Sequence, residues 1–117
     1  MRSAAFNGDL QYPMTIAEAI LSIIGIDGDA VICAREPFSR DSEAVITRLT
    51  QDLTVPEDVR SKGYTYFLER ELVVELLDMI DSKVASKEQR ADFVCHYAGH
   101  DAYPAWFYAL EDKTRCY

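Results

Sequence analysis

The sequence predicts an α+β domain, a small and mainly antiparallel sheet covered by helices. Three observations predict it. Boxes of the Ser/Thr-x-x-Glu/Gln kind begin at Thr15, Thr54 and Ser86 and mark helix starts. Apolar residues recur at helical spacing after the first of these and again from Leu72. Two short runs, Ala30–Arg35 and Tyr64–Leu68, are rich in the β-branched and aromatic residues that strands favour. The connections between positions 30 and 68 are short, which favours antiparallel pairing over βαβ crossovers.

Taken in order, residues 1–13 read as an irregular lead-in, with a turn at Asn7-Gly8-Asp9 and Pro13 blocking a helix. Thr15 and Glu18 open a helix whose inner face is Ile16, Ala19, Ile20, Ile23 and Ile24, stopped by Gly25 in a left-handed cap. After the turn at Asp27-Gly28-Asp29, Ala30–Arg35 is a mostly buried strand ended by Pro37, and 38–42 is a loop. Glu43–Thr50 reads as a strand because Val45, Thr47 and Leu49 alternate; a helix capped by Ser42 is the alternative. Thr54 and Glu57 start a brief helix through Arg60, ending at Gly63, and Tyr64–Leu68 is the strongest strand.

A helix then runs from Glu69 or Arg70 to about Val84, with Leu72, Val73, Leu76, Leu77, Ile80 and Val84 facing inward. Ser86 and Gln89 open the last long helix, through Tyr97 and closed by Gly99. Tyr103–Leu110 is a final strand or a docked helical turn, and 111–117 reads as a frayed tail. The whole is one domain over 14–110.

Twenty Asp and Glu stand against twelve Lys and Arg, a net charge of −8. Such a surface repels nucleic acid and anionic membrane and attracts basic partners. The greasiest stretch, Ile16–Ile26, is interrupted by Glu18 and falls short of the ~20 apolar residues of a membrane span. Three cysteines without paired spacing argue against a disulfide framework and for a reducing cytoplasm.

No motif spells a reaction. His96 and His100 are four apart beside Cys95 and Asp101, but a helix ending near Gly99 breaks their shared face, and no second ligand pair exists for zinc. The reading is a capping or hydrogen-bonding His, with no metal and no cofactor. Cys33, in an apolar strand, and Cys95, near a helix C-terminus, lack the electropositive setting of a nucleophile. Glu71, Glu75 and Asp78 fall at i, i+4 and i+7, and Asp81 extends them toward the helix C-terminus. Like charges so placed cost an isolated helix ~0.2–0.5 kcal/mol a pair, and this stripe mixes in no cations. It is a candidate surface for the Lys and Arg of a partner. Tyr97, Tyr103, Trp106, Phe107 and Tyr108 crowd around His100-Asp101; such a cluster is a satellite core under the chain end or a set of interface anchors.

Several segments carry a resemblance. They are the loop Pro37-Phe38-Ser39-Arg40-Asp41-Ser42, the strand Gly63-Tyr64-Thr65-Tyr66-Phe67-Leu68, and the helix with Phe93 and Tyr97 running into His100-Asp101-Ala102. Together, over about 15–103, they resemble a family of small bacterial proteins similar to immunity proteins of contact-dependent growth-inhibition and polymorphic-toxin systems. The chain departs from that pattern at Phe38, where Trp is expected, and in the aromatic extension after Tyr103. The resemblance implies a single cytoplasmic α+β domain with no assigned catalytic residue.

The expected function is therefore that of an immunity or inhibitor protein, not an enzyme. It binds and occludes a cognate toxin domain with a basic, nuclease-type surface. Glu71, Glu75, Asp78 and Asp81 are the expected electrostatic face, and His100, Asp101, Tyr103 and Trp106 a second contact set. Nucleic acid, membrane and small-molecule ligands are not expected. The alternatives are a small metal-dependent enzyme or regulator using Cys95–Asp101, and an adaptor or phage-encoded inhibitor of a host enzyme.

Overall fold

A computed structural model of the chain describes residues 13–26 and 28–113. The elements run β1 (Met14–Thr15), α1 (Ile16–Ile23), β2 (Ala30–Ala34), β3 (Glu43–Arg48), α2 (Glu57–Arg60), β4 (Thr65–Glu69), α3 (Arg70–Ile80), α4 (Lys87–His100) and α5 (Ala105–Ala109). The four strands form one sheet in the order β1-β3-β2-β4, every neighbouring pair antiparallel. This is the α+β class the sequence predicts. Strand-forming alternation wins over the alternative helix at 43–50, and Tyr103–Leu110 resolves into the turn of helix α5. No helix of the described residues is long and apolar enough to cross a membrane.

The sheet is buried on both faces, and alternation along the strands sorts the residues. Ala30, Ile32 and Ala34 of β2, with Ala44 and Ile46 of β3, face α1, α3 and α4 and join Phe67, Val73, Ile80, Phe93 and Phe107 in the main core. Val31, Cys33 and Val45 face the other way and pack with Val59 and Tyr64. That second layer is the β3–β4 connection. Because β4 pairs with β2, the chain must cross over β2 after leaving β3, and it lays α2 on the sheet as it passes. The expectation of helical cover therefore holds on one face, with a shorter cover of α2 and loop on the other. A register shift at Ile32/Cys33 pairs Ile32 with Leu68 and Cys33 with Tyr66. Phe67 is the extra residue of this bulge, so Phe67 and Leu68 are both buried in the main core.

Two of the three capping boxes form. Thr15 Oγ1 accepts from the Glu18 amide at 3.1 Å while Glu18 Oε1 accepts from the Thr15 amide at 2.9 Å. Ser86 and Gln89 do the same at 3.0 and 2.9 Å. The box at Thr54 does not form: Pro56 is the N-cap of α2, and the Thr54 hydroxyl is spent on Thr50, 2.8 Å away. Glu57 instead pairs with Arg60.

Three helix ends differ from expectation. The C-cap of α1 is Ile24 in a right-handed conformation, not a left-handed Gly25. Gly25 and Ile26 donate back to Ser22 and Ile23, and Arg70 Nη2 donates to the Ile24 carbonyl at 3.0 Å, so the end carbonyls are met without a left-handed residue. Helix α3 stops at Ile80, and Val84, expected inside, is 53% exposed. The chain is drawn out there because Val84 N donates to Glu111 O and Lys113 N to Ser82 O around a Lys83–Asp112 bridge. Residues 111–113, expected in a frayed tail, are thereby paired; 1–12 and 114–117, the rest of the lead-in and tail, lie outside the described residues. Helix α4 runs past Gly99 to His100, and Asp101 supplies the left-handed cap at φ 55°.

Candidate functional site

Helix α3 holds Val73, Leu76 and Ile80 against the core. The opposite face therefore points Glu71, Glu75 and Asp78 into solvent, where all three are exposed. No cation of the described residues lies within salt-bridge distance of them. Asp81 is different. As the C-cap of α3 it sits at the negative end of the helix, and Lys113 Nζ at 3.3 Å and Arg90 Nη1 at 3.2 Å offset that. The hydrogen bond and charge of Lys113, then those of Arg90, hold its carboxyl below the usual range. Asp81 is thus engaged within the chain, and the free acidic stripe is Glu71, Glu75 and Asp78.

Helices α3 and α4 pack together. The Tyr97 phenol is pushed up by the charge of Asp101 first, with smaller contributions from burial, Tyr103 and Glu75. Tyr103 is half-buried, its ring 5.4 Å from Phe93 and 5.9 Å from Tyr97. Phe93 also stacks on Phe107 at 4.8 Å and meets Trp106 at 6.4 Å. The aromatic cluster is therefore part of the main core and not a separate satellite, and it leaves two rings outside: Trp106 is 37% exposed and Tyr108 68%.

The continuation of α4 through Gly99 restores the face that His96 and His100 share. Their rings stack at 4.2 Å and 15°, and His100 Nδ1 lies 3.1 Å from the His96 carbonyl oxygen. Burial first, then the neighbouring His100, pushes the His96 pKa below its ordinary value. Among the described residues, no three His, Cys, Asp or Glu side chains come together as a metal ion requires. Cys95 is 7% exposed, its thiol pushed up to about 12 by burial and by Asp92. Cys33 is fully buried and raised to about 11 by burial alone. Both are protonated at neutral pH and present no thiolate nucleophile.

Beside the histidines lies an open groove of about 620 Å³ between α4 and the loop 36–39. Its walls include Glu36, Phe38, Asp92, His96, His100 and Trp106. The loop is held in place at both sides. Ser42 Oγ donates to the Pro37 carbonyl at 2.7 Å and accepts from the Ser39 amide at 3.0 Å. Arg40 Nε reaches Asp92 Oδ1 at 3.3 Å, and Phe38 meets Phe67 edge-on at 4.9 Å. Glu36 and Asp92 escaped the sequence reading. Asp92, His96 and His100 at i, i+4 and i+8 are the signal that finds this stripe, and it is visible only once α4 is known to pass Gly99.

The fold and this surface define a small α+β domain with an acidic, aromatic-edged end. No protein-family model, curated protein or solved structure matches the chain. Its function is accordingly argued from these residues.

Proposed function

We propose that the protein is an immunity-type inhibitor, which binds a basic, nuclease-type domain of a cognate toxin and occludes it in the cytoplasm. The observation that carries this reading is the free acidic stripe of α3. Asp81, Asp92, Asp112 and Glu43 are each engaged by a cation of the chain itself, while Glu71, Glu75 and Asp78 face solvent without one among the described residues. Three like charges on one helical face weaken the helix a little and favour an incoming surface of opposite charge. A domain that grips phosphate with Lys and Arg offers such a surface, and covering those cations blocks its substrate. Tyr103 and Trp106, which follow the Asp101 cap of α4, supply an aromatic edge of the kind that anchors interfaces.

The test is capture from extracts of the native organism, with the wild-type chain and the Glu71→Lys/Glu75→Lys/Asp78→Lys variant as baits at low and high salt. One basic protein retained by the wild type, released as salt rises and ignored by a folded triple variant is the expected result. Equal retention by the triple variant sinks the acidic-stripe reading.

A further inference from the structure

We infer that the groove between loop 36–39 and the C-terminal half of α4 receives an arginine side chain of a basic protein partner. This rests on the inhibitor reading and names the chemistry of one contact in it.

Three features of the groove select a guanidinium. Its free charge is negative: Glu36 is exposed and has no ion partner among the described residues, while Asp92, its side chain 46% exposed, is paired through Oδ1 with Arg40. Its backbone is negative as well. The groove includes Ala98, Gly99 and His100 at the end of a 14-residue helix, and their carbonyls receive no backbone amide among the described residues. A helix C-terminus carries about half a negative charge and favours cations. Planar groups line it: the Trp106 indole and the stacked His96–His100 pair, rings of the kind that hold a flat cation. His96, held toward its neutral form, does not repel one at neutral pH.

Lysine satisfies only the charge. The flat fork of arginine can stack on a ring and reach dispersed acceptors at the same time. The groove is open, so it suits an arm presented by a protein and does not enclose a whole small molecule.

Trp106 is the single tryptophan, so intrinsic fluorescence reports on the groove directly. The probes are capped hexa-arginine and hexa-lysine peptides titrated into the full chain. Hexa-arginine should change Trp106 emission and bind about two- to fivefold more tightly than hexa-lysine. Glu36→Gln, an exposed position that leaves the core untouched, should weaken hexa-arginine binding. Trp106→Leu, followed by NMR at the His96 and His100 rings, should abolish the preference for arginine. The Glu71→Lys/Glu75→Lys/Asp78→Lys variant should weaken both peptides alike and keep the preference. Binding of both peptides without a Trp106 response, or an arginine preference that survives Trp106→Leu and Glu36→Gln, overturns the groove while leaving the acidic-stripe inhibitor standing. Binding of neither peptide also overturns the groove. Salt-dependent capture of the partner judges the inhibitor reading separately.

Discussion

The Tyr64 hydroxyl donates to Glu43 Oε2 at 2.6 Å, joining residues 21 apart in sequence across the second face of the sheet. Arg35 completes the group, with Nε 3.3 Å from Glu43 Oε1 and its guanidinium 4.5 Å above the Tyr64 ring. The Tyr64 hydrogen bond, then Arg35, holds the Glu43 carboxyl below its ordinary 4.5. A carboxyl lowered on folding adds stability above its unfolded pKa, and that contribution is lost as pH falls through the folded value. Tyr64→Phe should therefore raise the Glu43 pKa toward 4.5. The Tm gap between wild type and variant should narrow as pH drops below 4.5. A carbon-detected NMR titration with melts across that range checks both; an unmoved Glu43 pKa refutes the assignment.

Gly63 and Gly99 should respond in opposite directions to alanine. Gly63 has φ 93°, and an added Cβ would meet Arg35 Nη1 at 2.4 Å. The flexible Arg35 side chain can swing aside, but the left-handed backbone itself costs an L-residue about 1–2 kcal/mol. Gly99 lies inside α4 with nothing within 4 Å of its Cβ position. Gly99→Ala should stabilise by ~0.5–1 kcal/mol through backbone entropy. Urea denaturation of the two variants gives both signs. A destabilising Gly99→Ala would mean that α4 ends before that residue.

Phe93 is fully buried and touches Tyr103, Trp106 and Phe107. Phe93→Ala should cost about 3–5 kcal/mol. Its near-ultraviolet circular dichroism should lose aromatic signal, because α5 rests on this ring. A loss below about 1 kcal/mol would show that the terminal segment contributes little to the core.

His96 should titrate below 6.5, since burial and then His100 disfavour its charged form. A histidine whose folded pKa is depressed contributes stability above the unfolded value of about 6.5 and loses it as pH falls through the folded pKa. His100→Gln removes the neighbouring charge and should move the His96 value upward. Proton NMR of the ring signals reads the shift, and an unchanged value would leave burial as the only cause.

Asp81 and the α3 stripe should separate cleanly. Asp81→Asn weakens the bonds to Lys113 and Arg90 that tie α3 to α4 and to residues 111–113. It should lower Tm and speed amide exchange at Val84 and Lys113 with little effect on partner capture. Glu71→Gln should do the reverse. Loss of capture by Asp81→Asn at an unchanged Tm would return Asp81 to the partner-binding face.

The sequence by itself determined the class of fold, the two working capping boxes and, apart from Ile24 and Val84, the apolar faces of α1 and α3. These depend on neighbours three or four positions apart, on alternation, and on residue types that tolerate few conformations. It also exposed the Glu71–Asp78 stripe, which local periodicity alone reveals. Tertiary structure decided what depended on distant partners. Thr54 has the spacing of a cap, yet Thr50 takes its hydroxyl. Gly99 resembles a stop, yet α4 passes through it and Asp101 accepts the left-handed turn, which stacks His96 on His100. Asp81 looks like one more acid until Arg90 and Lys113 arrive from later in the chain. The groove at Trp106 forms because Phe38 on Phe67, the Ala17–Arg40 backbone bond and the Arg40–Asp92 pair set the 36–42 loop beside α4. A contact between residues some 50 positions apart leaves no periodic trace in either segment, since its energy arises only after both have folded.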